Sequence, residues 1–204
     1  MRDYSRLDAL VDRLAVDVYA EPPAPVHTQI TDMVLSQLQQ EGIVAPGKRV
    51  LDVGCGQGVA LERFAALGAE AVGVTLGEDA AVCRSKGLTV VSMDQSFLEF
   101  DDSSFDFLWC RHVLEHSIFP LFTLTEYRRL VKPGGYVYVE VPAPDTSCAH
   151  QCNSNHYSVL GQSMWLRLFE RAGLSLVRAV AINFSVAVGP DLYWSFLLAR
   201  PPEG

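Results

Sequence analysis

The sequence predicts an α/β fold: a doubly wound, seven-stranded, mostly parallel sheet with an antiparallel last strand, preceded by an N-terminal helical cap. Three observations predict it. From Lys48 onward, short apolar runs alternate with segments of helical periodicity. A glycine-rich turn, Gly54-Cys55-Gly56-Gln57-Gly58, joins the first apolar run to a helical segment. Near the end, two strand-like runs are separated only by Gly189-Pro190-Asp191. A parallel return needs a crossover of about a dozen residues, so that pair must be antiparallel.

Residues 1–46 form the predicted cap of the domain that occupies 47–204. Leu7, Leu10, Val11, Leu14 and Val18 fall at helical spacing, Pro22-Pro23-Ala24-Pro25 breaks the chain, and Ile30, Met33, Val34 and Leu38 begin a second helical pattern. Strands are then predicted at Arg49–Val53, Ala71–Val74, Leu88–Met93, Phe105–Cys110 and Tyr136–Val141, with helices at Val59–Leu67, Glu78–Lys86 and Leu121–Val131. Leu124, Tyr127, Leu130 and Val131 give the last of these helices its inward face, and Lys132-Pro133-Gly134-Gly135 reads as a turn. A helix from Ser163 to Ala172, stopped by Gly173, precedes strands at Leu176–Ala187 and Tyr193–Ala199.

Composition narrows the class. The 204 residues are 49% hydrophobic and 20% charged, which is globular and long enough for one cored domain. A formal charge of −8 with no basic run argues against nucleic acid as a partner and leaves a small-molecule partner. No apolar run reaches the roughly 20 residues that span a bilayer, and the polar start is not a signal peptide. Five scattered cysteines without such a signal predict reduced thiols and a cytoplasmic setting, with Cys83 and Cys110 as small buried hydrophobes. Oligomeric state is not legible.

Chemistry concentrates at the glycine turn. Glycines allow a sharp strand-to-helix reversal and let a ligand touch backbone, and the helix start beyond offers unpaired N–H groups. A dinucleotide loop wants Gly-x-Gly-x-x-Gly, whereas Val59 stands at the third glycine's place and Asp52 closes the strand. A carboxylate there suits a ligand bearing a cationic amino acid better than a pyrophosphate.

Val50-Leu51-Asp52-Val53-Gly54-Cys55-Gly56-Gln57-Gly58 resembles the first motif of class I S-adenosylmethionine-dependent methyltransferases almost letter for letter. Ser103-Ser104-Phe105-Asp106-Phe107 with His112-Val113-Leu114-Glu115-His116 is similar to the family's fourth-strand region, and Leu130-Val131-Lys132-Pro133-Gly134-Gly135 to its turn before the fifth strand. The resemblance covers about Lys48 to Val141 and implies a Rossmann-like domain with S-adenosyl-L-methionine as cofactor. It implies that Asp52, Gly54, Cys55, Gly56 and Gly58 hold the methionine moiety, with Cys110, Arg111 and His112 near its amino group, mostly through backbone. Met93, Asp94 and Gln95 fall at the adenine, where Asp94 accepts from the exocyclic amine. The family usually ends its second strand with an acid for the ribose; here Thr75 and Leu76 stand there, with Glu78 as a substitute if the turn folds back.

The implied activity is methyl transfer to oxygen or nitrogen of a small-molecule, sugar or lipid-precursor acceptor. The rival is a cofactor-binding regulatory or partner protein without turnover. Methyl transfer depends mainly on alignment, and an oxygen or nitrogen acceptor also needs a base. The loop after the fifth strand, Pro142 to Leu160, carries the polar residues expected to meet the acceptor, with His156 as the base, Tyr157 beside it and His116 as the alternative. His112 and His116, four apart, are expected to share a helix face. Cys148, His150, Cys152 and His156 are spaced C-x-H-x-C-x₃-H, which is not a zinc-finger pattern, and no metal is expected.

Overall fold

The computed structural model describes residues 3–16 and 22–203; Val18 of the first apolar stripe lies outside them. Two helices come first, α1 (Ser5–Val16) and α2 (Pro25–Gln40). Pro25 opens α2, where its missing N–H costs nothing. Ile30, Thr31, Val34, Leu35 and Leu38 are its buried face, while Met33 points out. On α1, Leu7, Leu10, Val11 and Leu14 are half-buried.

The sheet strands are β1 (Arg49–Val53), β2 (Glu70–Val74), β3 (Val90–Val91), β4 (Phe105–Arg111), β5 (Val131–Pro142), β6 (Ser175–Val186) and β7 (Gly189–Ala199). Between them lie α3 (Val59–Ala66), α4 (Asp79–Ser85), α5 (Pro120–Leu130) and α6 (Gln162–Arg171). The strand order is β3-β2-β1-β4-β5-β7-β6. The first five are parallel, and β7 is antiparallel to both β5 and β6. The expected architecture is therefore the observed one.

Three local expectations are corrected. The third strand is two residues long, because only Gly73 and Val74 of β2 reach it; Met93 and Asp94 turn away toward a cleft instead. Lys132 to Gly135 lie within β5 as an irregularity, with the pairing register shifting between Phe105↔Val131 and Phe107↔Tyr136. Arg200 occupies that place: its Nη1 donates to the carbonyls of Arg128, Arg129 and Val131, closing the C-terminal end of α5. The final hairpin turns at Ala187 and Val188, with Val186 paired to Gly189, so Pro190 and Asp191 belong to β7. Pro190 is tolerated because β5 joins β7 only from Tyr193 onward.

One face of the sheet packs on α5 and α6 through Leu124, Tyr127, Trp165 and Phe169; the other packs on α2 and α3 through Leu38, Phe64, Phe107 and Trp109. The order reverses between β1 and β4, whose chains leave for different neighbours. In open α/β sheets the crevice beyond the carboxyl ends of such strands is where ligands bind.

Gly135 tests the β5 irregularity. A Cβ there would lie 2.7 Å from the Asp106 carbonyl and 3.0 Å from the Lys132 carbonyl, both backbone and unable to yield cheaply. Gly135→Ala should cost roughly 1–3 kcal/mol in urea denaturation, the usual penalty of overpacking. An unchanged midpoint would disprove this close approach.

Candidate cofactor and acceptor site

A cleft opens at the reversal point. Its walls include Val53, Gly54 and Gly56 after β1, Thr75, Leu76 and Asp79 after β2, and Met93 to Phe97 after β3. Opposite stand His112, Val113 and His116 after β4, with Asn155 and Tyr157 from the loop after β5. Val11 and Leu14 of α1 border it. Two distant parts of the chain thus share one wall.

The glycine loop is shaped by contacts. Gly54 has φ +69°, and a Cβ on it would overlap the Val113 side chain, so the loops after β1 and β4 close only over a glycine. Gly56 also has positive φ, +49°, and among the described residues only Asp79 Oδ2, at 4.0 Å, stands within 4 Å of a Cβ there. Its missing side chain is cleft space. Gly58 begins α3 in the left-handed conformation and packs against Leu88 and Cys83. Cys55 and Cys83 are buried beneath with Leu61, and Cys83 Sγ lies 3.1 Å from the Gly56 carbonyl. Asp52 lies under the loop, 2% exposed; burial pushes its carboxyl well above the ordinary range, and its Oδ2 has no hydrogen-bond partner among the described residues.

Asp79 was not anticipated. The sequence offered Glu78 as the substitute acid, but Glu78 is exposed at the start of α4, while Asp79 is 7% exposed and faces the cleft. Its Oδ1 is buried with no hydrogen-bond partner among the described residues. The helical repeat of Asp79, Ala80 and Cys83 was the signal available: these three are the buried face of α4. Asp94 lines the cleft and also accepts from the Ser96 N–H at 2.7 Å. The Gln95 side chain turns inward, donating to the Val113 carbonyl and accepting from Tyr127.

Behind the opposite wall runs a buried ionic chain. Glu140, fully buried on β5, meets Arg111 Nε at 2.7 Å, His112 Nε2 at 3.0 Å and the Tyr138 hydroxyl at 2.6 Å. His112 Nδ1 faces Glu115 Oε1 at 3.5 Å. Burial opposes a charge on His112, but hydrogen bonds to the two carboxylates outweigh it and hold its pKa above the usual value. Burial likewise raises Glu115 and Glu140, and His112 with its neighbours more than offsets this, leaving both below the ordinary range. His112 itself sits at φ +55°, a strained backbone held by its N–H to the Glu140 carbonyl. Arg111, Cys110 and Asp52 therefore stand behind the cleft wall and not on it.

All five histidines of the chain converge here. His27 of α2 stacks on His112 at 5.4 Å and bonds the Tyr193 hydroxyl at 3.1 Å. Tyr193 contacts His150 at 6.0 Å, His150 stacks on His156 at 6.0 Å, and His156 meets His116 edge-on at 4.7 Å. His116 faces the cleft and His156 lies one ring behind it. His112 and His116 do not share a helix face, because only Leu114–His116 is helical, a single 3-10 turn. The long loop is tied down on both sides: Tyr157 and Ser158 N–H groups donate to the Glu115 carbonyl, and His150 Nε2 meets both Asp191 oxygens at 3.0–3.1 Å.

The strand order, the antiparallel seventh strand and a glycine-lined cleft at the reversal define the class I S-adenosylmethionine-dependent methyltransferase fold. The methyltransferase-domain family matches residues 26–179, and the chain belongs to that family. The ubiquinone biosynthesis O-methyltransferase of Aliivibrio fischeri is 34% identical over 122 residues, which cover 56% of this chain and 52% of that protein. The chain spans about half the length of the curated relatives it matches. Among solved structures, the 4+2 cyclase SpnF aligns with a TM-score of 0.73 at 17% identity, covering 98% of this chain and 94% of that one. A SAM-dependent methyltransferase from Archaeoglobus fulgidus aligns at 0.66 with 20% identity, covering 82% and 93%. At such identities the likeness is one of fold. Among the described residues, no helix is long and apolar enough to cross a membrane.

His27 gives the site a pH signature. Burial, with the charges of His112 and Arg111, pushes its pKa from 6.5 down to about 4. Above pH 6.5 it is neutral folded or unfolded; between 6.5 and 4 the unfolded chain takes up the proton that the folded chain refuses, so stability falls with pH. His27→Asn should show a shallower loss of Tm between pH 7.5 and 4.5 than the parent. Parallel curves would remove His27 from the acid response.

Proposed function

We propose that the chain transfers the methyl group of S-adenosylmethionine to a hydroxyl oxygen of a small, largely apolar acceptor. The observation that carries this reading is one cleft joining the Gly54–Gly56 loop and the buried Asp79 carboxylate at one end to His116, Asn155 and Tyr157 at the other. Oxygen as the acceptor atom is supported by the O-methyltransferase named among the relatives. An apolar acceptor body is supported by Phe97, Ile118 and Phe119 in the lining.

The residues suit the cofactor. A backbone cradle at Gly54 and Gly56 admits the methionine moiety where side chains would fill the space. Asp79, with Thr75, accepts from the ribose hydroxyls in place of the usual strand-end acid. Leu76 and Met93 offer apolar contact to the adenine, and Asp94 accepts from its amine. Cys55, Gly58, Cys110 and Arg111 act by shaping the loop and the strand end, and Gln95 by holding the turn after Met93. When bound, the cofactor supplies a sulfonium methyl that needs no further activation. The chain's own task is to align the acceptor and relieve its hydroxyl of a proton. His116, at the cleft wall with Glu115 and His156 behind it, is where that proton leaves. Tyr157 and Asn155 orient the acceptor.

The alternative is a protein that binds the cofactor without using its methyl group, and SpnF illustrates that this fold also serves a cyclase. One experiment separates these readings. S-adenosylhomocysteine should raise Tm and NAD should not. Asp79→Asn should weaken that ligand about tenfold or more, the loss of a charge-assisted hydrogen bond, while leaving the unliganded Tm near that of the parent. Incubation with S-adenosylmethionine and a panel of phenols should yield S-adenosylhomocysteine. Binding without product from any hydroxylated acceptor would favour the non-catalytic reading. No thermal shift at all would overturn both.

A further inference from the structure

We propose that Glu115, His116 and His156 form a binding site for a divalent transition-metal ion, with its open side toward the acceptor end of the cleft. Along the chain no third histidine stands beside His112 and His116. Folding supplies one by bringing His156, from the loop after β5, against the 3-10 turn Leu114–His116. One ligand atom from each of the three lies within 4.8 Å of the others.

Tautomers make the geometry specific. His116 Nδ1 lies 2.8 Å from the Asn155 carbonyl, and His156 Nδ1 lies 2.9 Å from the His150 carbonyl. A carbonyl oxygen only accepts, so each Nδ1 carries the hydrogen and each neutral ring keeps its lone pair on Nε2. This is how ligating imidazoles are held in metal sites, with the far nitrogen tied to backbone. Glu115 is 1% exposed, and its Oε2 is buried with no hydrogen-bond partner among the described residues. An unpaired buried carboxylate oxygen is expensive, and a cation removes the expense. The two ligand-bearing segments are clamped together by the Tyr157 and Ser158 N–H groups on the Glu115 carbonyl and by the Ser158 hydroxyl on the Ser117 carbonyl. The site is thus assembled before any ion arrives.

The neighbouring group of Cys148, His150 and Asp191 is a useful contrast. There the carboxylate is already satisfied: His150 reaches both oxygens and the Leu192 N–H donates to Oδ1 at 2.9 Å. It pins the loop without an ion.

Two imidazoles and one carboxylate suit a borderline divalent ion such as zinc, cobalt or iron and leave coordination positions open. His116 lines the cleft, so an acceptor hydroxyl can take an open position. With the ion in place His116 serves as its ligand in place of acting as the base, and a hydroxyl bound there loses its proton to solvent at lower pH than when free. The oxygen lone pair then attacks the methyl carbon, the C–S electrons return to sulfur, and the products are a methyl ether and S-adenosylhomocysteine. This use of the ion rests on the proposed methyl transfer; the binding site itself does not.

Cobalt(II) added to the metal-stripped chain tests the site by its visible absorption. One equivalent should bind with ligand-field bands of nitrogen and oxygen ligation and without a thiolate charge-transfer band. Glu115→Gln and His156→Ala should each weaken cobalt more than about 100-fold, the upper end of what loss of an outer-shell partner alone costs. Both should keep the thermal shift with S-adenosylhomocysteine, which shows that they fold. Cys148→Ser and His150→Ala should leave the spectrum unchanged. No cobalt uptake by the parent, a thiolate band, or uptake indifferent to Glu115→Gln and His156→Ala would overturn the site. Should those two variants fail to fold, the parent spectrum and its indifference to Cys148→Ser decide. Cobalt binding without methyl transfer to any hydroxyl would sink the proposed function and leave the ion site standing.

Discussion

The close approach of Gly54 to Val113 is the constraint on which the rest of this structure depends. β1 and β4 lie side by side, and their chains leave the sheet at the same end. The loops that follow can meet only because position 54 has no side chain and adopts positive φ. Any larger residue would push the two loops apart and open the floor of the cleft. With the loops closed, Gly56 and Asp79 face one side of the cavity and His112 and His116 the other.

The wall opposite the glycine loop is polar but buried, and charge pairing offsets the cost of that burial. Glu140 is fully buried yet engages Arg111, His112 and Tyr138, and Glu115 continues the chain through His112. Removing one member of such a buried pair typically costs about 3–5 kcal/mol, because the other is left charged and unpaired. The network therefore holds the strained His112 backbone and the short 3-10 turn in one position. Tyr193, on the antiparallel β7, closes the array by touching His27, His112 and His150. A strand that runs against its neighbours thereby joins α2 to the loop after β5.

Much was legible locally. The helix over 162–171 ends beside Gly173, which has φ +77°, as expected for a C-terminal glycine. Strands β1 and β4 showed as apolar runs because both faces are covered by helices. Less was legible where pairing partners set the outcome. β3 stops after two residues because β2 reaches no further. The hairpin turns at Ala187 and Val188 because cross-strand register outweighs the turn preference of Gly189-Pro190-Asp191.

The sequence by itself determined the fold class and the glycine loop, since alternating periodicities and a strand-turn-helix junction are written in neighbouring residues. It also placed Gly54, Gly56, Thr75, Leu76, Met93, Asp94, Gln95, His112, His116 and Tyr157 in one candidate set, and all ten line the cleft. Only the tertiary structure decided that Asp79 and not Glu78 turns inward, because helix phase against the sheet is a packing property. Only it set His156 behind His116 and beside Glu115, and gathered five histidines spread over 130 residues. Spacing along the chain carries no record of such meetings: they depend on which strands become neighbours, and that is settled by burying both faces of the sheet at once.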